Sequence, residues 1–344
     1  MRDAFRAIVL VAMLSAAGFL QAQQHVTSGD EIDYQPAIVE SSDGTRIVVF
    51  ERLDASSFFG DLWITRSTDG GGTWSEPAAI LATDANERHP ALIETAPSHF
   101  TLFYLKGQSA SSSFRIFRAT SSDGAAFAEE GQIDLGWATG GEINPHVIRH
   151  ADGTLTMSYQ RLGGGVGVYV AESSDDGVTW DTEQTQIAAG AQLPRIAFRE
   201  SDGLYLATYQ TGSTALHLHV KTTTDVRDWS ADARDFAATG NNHDSLPVVM
   251  PDDAFVVFYI RAAGIQFDLA FRRSLDGVDW ADPAVVTDTP AADDVEPHPL
   301  VGDSPGIVEL YWGRDEPAGS LTYDIVREPS VIVLETIFAG AFES

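Results

Sequence analysis

The segment Ser173 to Trp180 reads "SSDDGVTW" and follows a strand-like run, "GVYVAES". It is met earlier as "STDGGGTW", Ser67 to Trp74, and later, one residue shorter, as "SLDGVDW", Ser274 to Trp280. Weaker copies are "SSDGAAF", ending in Phe127, and "TTDVRDW", ending in Trp229. Each is a tight turn. The aspartate (Asp69, Asp123, Asp175, Asp225, Asp276) is placed to accept backbone N–H bonds. Glycine, where present, permits a positive φ. The closing aromatic residue is placed to pack inward between strands.

Outward from these turns the chain repeats about every 50 residues, a period typical of blade-like repeat units. A proline opens an apolar strand in each unit: Pro36, Pro90, Pro145, Pro194, Pro247 and Pro299. A second strand follows, as in "RIVVFER", "FTLFYLK" and "AFVVFYIR", and then a third, as in "DLWITRS" and "FDLAFRRS". Short strands, turn chemistry and almost no helical period predict an all-β chain. Four strands repeated six times predict a single six-bladed β-propeller of four-stranded antiparallel blades. The turn motif resembles the Asp-box, or BNR repeat, of the sialidase-like propeller superfamily, and the resemblance covers essentially residues 23–337.

The 344 residues include 50 acidic and 21 basic ones, a formal charge of −29, and no cysteine. Disulfides, thiolate metal sites and a cysteine nucleophile are excluded. Nucleic acid is not an expected partner, because so negative a chain is repelled by phosphate on average. Arg2 and Arg6 precede the apolar run Ala7 to Leu14, and Ala22 is the expected last residue of a cleaved signal peptide, residues 1–22. The protein is expected to be secreted or periplasmic, without stable membrane insertion and as a monomer. Residues 338–344 read as a tail. A propeller must close its ring or leave two sheet edges bare. Either Val331 to Ile337 or the segment near Val26 to Tyr34 is placed to do so.

Propeller ligands usually sit over the central axis, where first strands begin and second strands end. Three residues before the landmark prolines stand Asp33, Glu87, Glu142, Asp244 and Glu296; immediately before them stand Gln35, His89, Asn144, Leu193, Leu246 and His298. Second strands end in Arg52, Lys106, Arg161, Arg261 and Arg314. These charges serve equally as inter-strand ion pairs or as a ligand surface, where arginine forks match carboxylates. The resemblance implies a sialidase-like glycoside hydrolase acting on a glycan or polysaccharide, or a non-catalytic propeller that binds a glycan or a protein. Sialidases open their first blade with an Arg-x-Pro element, but Tyr34 stands there; "RHP" occurs at Arg88 to Pro90 instead, and Tyr323 resembles the late-blade tyrosine. Candidate catalytic residues are Glu87, Glu142, Glu296 and Tyr323. Candidate substrate-binding residues are Arg88, His89, Trp137, Arg161, Arg261, His298 and Arg314. No cofactor is expected and no metal site either, since His217 and His219 share a strand face but lack a third ligand.

Overall fold

The computed structural model describes residues 23–108, 113–236, 240–264 and 266–334. The expected signal peptide and the 338–344 tail lie outside them. Six four-stranded antiparallel sheets form the six blades of one propeller. The first blade is Ile32–Glu40, Arg46–Leu53, Gly60–Ser67 and Ala78–Leu81. The first strands of the remaining blades are Asn86–Ala96, Gly141–Arg149, Gln192–Arg199, Asn241–Val249 and Asp293–Val301. Neighbouring first strands contact one another around the ring, so they line its axis.

The ring is closed by the N-terminal segment. Gln24–His25 is the outer strand of the sixth blade, pairing antiparallel with Arg327 and Val326 of Tyr323–Ile332. Val26 and Thr27 continue the contact through N–H bonds to the Ile325 carbonyl. The latch is therefore shorter than the segment reaching to Tyr34, which lies in the innermost strand of blade 1. Val331 and Val333 instead pack into the core between the fifth and sixth blades. Charge reinforces the junction. Glu309 in the sixth blade receives Arg327 at 2.5 Å and Arg46 of the first blade at 2.8 Å.

The apolar core is divided by blade junctions. Each of the six clusters among the described residues draws on two adjacent blades, such as Phe103 with Tyr159 and Trp180 between the second and third. A blade alone would leave both its faces wet, so adjacent blades must stack to bury them. The Asp-box turns sit at the far end of the third strands from the first-strand beginnings. Asp69 accepts the Thr73 N–H at 2.9 Å and Asp175 the Thr179 N–H at 2.8 Å. The Thr73 amide, with the Thr73 and Ser67 hydroxyls, holds the Asp69 carboxyl down to about 2. The Trp180 ring meets Phe103 edge-on at 5.5 Å.

Candidate active site

Every first strand carries the same irregularity. The ladder register jumps at Gln35–Pro36, His89–Pro90, Asn144–Pro145, Leu193–Pro194, Asp244–Ser245 and Glu296–Pro297. In each pair the leading residue adopts a left-handed backbone, with φ between 46 and 55°. Six non-glycine residues in that region are strained positions held by their surroundings, a feature concentrated at functional sites. The preceding blade supplies part of the hold. The N–H groups of His89, Leu193 and Asp244 donate to Glu51, Gln160 and Gln210 at 3.2, 3.1 and 3.1 Å.

This register corrects the landmarks in two blades. The equivalents of Pro36 are Ser245 and Pro297, two residues before Pro247 and Pro299. Asp244 and Glu296 consequently leave the acidic ring and take the bulge positions over the axis, while Leu246 and His298 move two residues deeper. The ring position belongs to Asn242 and Asp294.

What remains of the two charge rings is scaffold. Asp33 binds Arg52 at 2.6 Å, Glu142 binds Arg161 at 2.9 Å, and Asp294 binds Arg314 at 2.7 Å. Lys106 stands 3.6 Å from Glu87 and 2.6 Å from Glu129. Glu87 and Glu142, expected as catalytic, thus neutralise cations away from the axial cavity. Arg161 is fully buried under Trp137, whose ring centroid lies 4.3 Å from the guanidinium and whose Nε1 donates to Tyr159. Arg88 is held by both oxygens of Glu51, a fully buried carboxylate of the first blade. Blade 5 differs, because Asn242 replaces the acid and Arg261 is exposed. Of the three arginines Arg88, Arg261 and Arg314, only Arg261 is therefore expected to be replaceable without destabilisation. Arg261→Ala should change the unfolding free energy by less than about 0.5 kcal/mol, the usual range for a surface position. Denaturant melts of Arg261→Ala and Arg314→Ala check this, with a clear loss expected for the second alone.

The structure brings His89, Glu296 and His298 together in a cavity of about 80 Å³ on the axis, with Gln35, His146, Arg195, Asp244 and Ser245. Burial and then the Asp244 charge push the Glu296 carboxyl up to about 8, against the opposing pull of Arg195 and Gln35. Burial holds His89 and His298 down at about 4, and His146 well below its ordinary value. These imidazoles are neutral donors and acceptors at neutral pH. The Tyr34 hydroxyl donates to Glu296 Oε1 at 3.4 Å, and burial followed by the Glu296 charge raises it well above a phenol's usual range. Tyr323 meets the Tyr34 ring edge-on at 5.2 Å, and burial lifts it to about 12. Four buried polar atoms in the cavity lack a hydrogen-bond partner: Gln35 Oε1, His89 Nδ1, Asp244 Oδ1 and Ser245 Oγ. Buried polar atoms are rarely left unpaired without reason, so such a cluster marks a place for a polar ligand.

Arg195 and His146 escaped the reading of the sequence, whereas Gln35 and Asp244 are placed by it at axial positions without being chosen as site residues. The doubled prolines of "EPHP" concealed the register, yet a spacing could have exposed it. Asp33 precedes Arg52 by 19 residues, Glu142 precedes Arg161 by 19, and Asp294 precedes Arg314 by 20. Glu296 stands two residues closer to Arg314 than Asp294 does. His219 bonds Thr211 at 2.8 Å and Asp235 at 3.1 Å.

A family model described as a BNR repeat-like domain matches residues 59–324. Among curated proteins no match is found. Similar solved structures include a Dyadobacter fermentans protein of unknown function, 13% identical, with a TM-score of 0.72 over 89% of this chain and 96% of that one. An alpha-L-arabinanase of Penicillium chrysogenum, complexed with arabinobiose, is 15% identical, with a TM-score of 0.66 over 89% and 96%. A Trypanosoma rangeli sialidase is 13% identical, with a TM-score of 0.66 over 89% of this chain and 58% of its own. At such identities the likeness is one of fold.

Proposed function

Because the chain belongs to the BNR repeat-like domain family, we propose that its axial cavity binds a glycan and hydrolyses a glycosidic bond. Glu296 is the proton donor and Asp244 the second carboxylate. The observation that carries this reading is the pairing of those two groups over the axis, with burial and the Asp244 charge raising Glu296 to about 8. Glycoside hydrolysis asks for one carboxyl kept protonated at neutral pH to protonate the leaving oxygen, and for a second carboxyl close by. The neutral His89 and His298, the Gln35 amide and the Ser245 hydroxyl supply the mixed donors and acceptors that sugar hydroxyls require. Arg195 is one guanidinium against two carboxylates, and Arg88 and Arg314 are spent on ion pairs. A neutral sugar therefore suits the cavity better than a carboxylated one. The arabinobiose bound by the Penicillium enzyme illustrates a neutral ligand on a propeller of this fold. Export through the N-terminal segment would place the activity outside the cytoplasm.

The test is a panel of nitrophenyl glycosides and polysaccharides, with arabinofuranosides and sialosides both included, read by chromophore or reducing-sugar release. Cleavage of a neutral glycoside, lost in Asp244→Asn, is expected. Retention of glycans on an array with no hydrolysis by the same sample would replace the catalytic reading with a binding one.

A further inference from the structure

We propose that His243 is the positioning residue that aims Asp244 at the axis: its Nδ1 holds Oδ2 at 2.7 Å, leaving Oδ1 to face the cavity. The inference rests on the hydrolytic reading and adds to it a residue outside the cavity wall. In a regular strand consecutive side chains point to opposite faces, so neighbours cannot bond one another. The bulge changes that. Asp244 has a φ of 47°, and the register slips between His243 and Leu246. The turned backbone swings the carboxylate to the side of its own predecessor.

His243 is itself well anchored. Its ring meets Phe267 edge-on at 5.5 Å, and its side chain is only 12% exposed. Asp244 is held at a second point by Gln210 of the preceding blade, which accepts its backbone N–H at 3.1 Å. With the main chain fixed and Oδ2 engaged, Oδ1 is the carboxylate atom left without a partner. Catalytic groups need this kind of support, since a rotation of one side chain misplaces the reacting oxygen. Tyr34 and Glu51 of blade 1, Arg88 and His89 of blade 2, Arg195 of blade 4 and Tyr323 of the sixth blade itself face the Asp244–Glu296 pair, and Gln35 bonds Glu296. His243 is the group that binds Asp244 through its side chain from the same strand.

Two variants separate positioning from packing. His243→Phe keeps a ring against Phe267 and removes the donor. His243→Asn places an amide N–H close to the position of Nδ1. The full chain carries both, and two quantities are read: the titration of Glu296 by carboxyl ¹³C NMR, and kcat and KM on a glycoside the wild type cleaves. In His243→Phe, Oδ2 loses its partner and the Asp244 carboxylate turns away, which lifts its repulsion of Glu296, so Glu296 should titrate about one unit lower or more. A fall in kcat of about tenfold or more should accompany it with little change in KM, the pattern of an interaction made in the transition state. His243→Asn should recover most of both. A folded His243→Phe with Glu296 unmoved, or an asparagine variant as impaired as the phenylalanine one, overturns the proposal. If His243→Phe does not fold, the ¹⁵N resonance of His243 Nδ1 in Asp244→Ala reads the same contact. It should move on losing its acceptor, and an unmoved resonance overturns the proposal. A wild type that cleaves no glycoside defeats the hydrolytic reading, while the two NMR measurements still decide whether His243 holds Asp244.

Discussion

Glu296→Gln is expected to cut glycoside cleavage by about 10²–10⁴-fold, the range for removing a positioned acid, while glycan affinity persists. The amide keeps the shape and the hydrogen bonds but has no proton to give. A second consequence concerns stability. The folded-state value of Glu296 is raised to about 8 from an ordinary 4.5, chiefly by burial. Between those values the folded protein binds a proton that the unfolded chain releases. Stability from this group is therefore complete below about pH 4.5 and is lost as pH rises through 8. The slope reaches at most about 1.4 kcal/mol per pH unit. Glu296→Gln has no such proton, so its denaturation midpoint should decline less over the same window. Parallel pH dependence in both proteins would show that Glu296 does not carry the raised value.

Trp180→Ala is expected to cost about 3–5 kcal/mol, the usual loss for truncating a buried tryptophan. Its ring is 7% exposed, packs on Phe103 of the preceding blade, and donates from Nε1 to the Gly177 carbonyl. The variant removes core from a junction rather than from one blade. The Asp-box lies at the opposite end of the strands from the bulges, so the folded fraction should keep its ligand affinity. Thermal melts and glycan binding on one sample check both halves, and a lost affinity in folded protein would tie the box to the site.

The fold was legible because its signals are local and repeated. A turn aspartate and an inward aromatic residue need only a few neighbouring residues to work, and five copies of the turn averaged out the degenerate ones. The axial site was half legible for the opposite reason. Ion pairs such as Asp33–Arg52 follow from residues that face each other across a ladder, and residue type with approximate position suffices to find them. The cavity depends on the bulge, where one extra residue decides which side chain meets the axis. In "NNHDSLP" no proline follows the bulge residue, and in "DDVEPHP" two prolines compete. The pattern of residue types therefore left Asp244 and Glu296 in the wrong register. Arg195 was hidden because its blade has Ala191 and Thr211 where blades 1, 2, 3 and 6 carry the acid and the base of the ring.

The closing strand has a further consequence for the order in which the molecule assembles. Gln24 and Arg327 are joined across 303 positions of the chain by a bond of 2.8 Å. Made first, that contact would close a loop at a cost of about 5 kcal/mol by the logarithmic loop-closure relation, with only two residue pairs in return. Made after the blades have stacked in sequence, it joins ends that are already neighbours, and the entropy has been spent at each junction in turn. The latch therefore belongs to the last step of folding and the first of unfolding. The amides of Val26, Thr27 and Ile325, which bond across the latch, should exchange with solvent through this local opening, well before the junctions behind them. Speed of folding and resistance to unfolding are thus governed at different places in one ring: by the successive junctions on the way in, and by a two-residue strand on the way out.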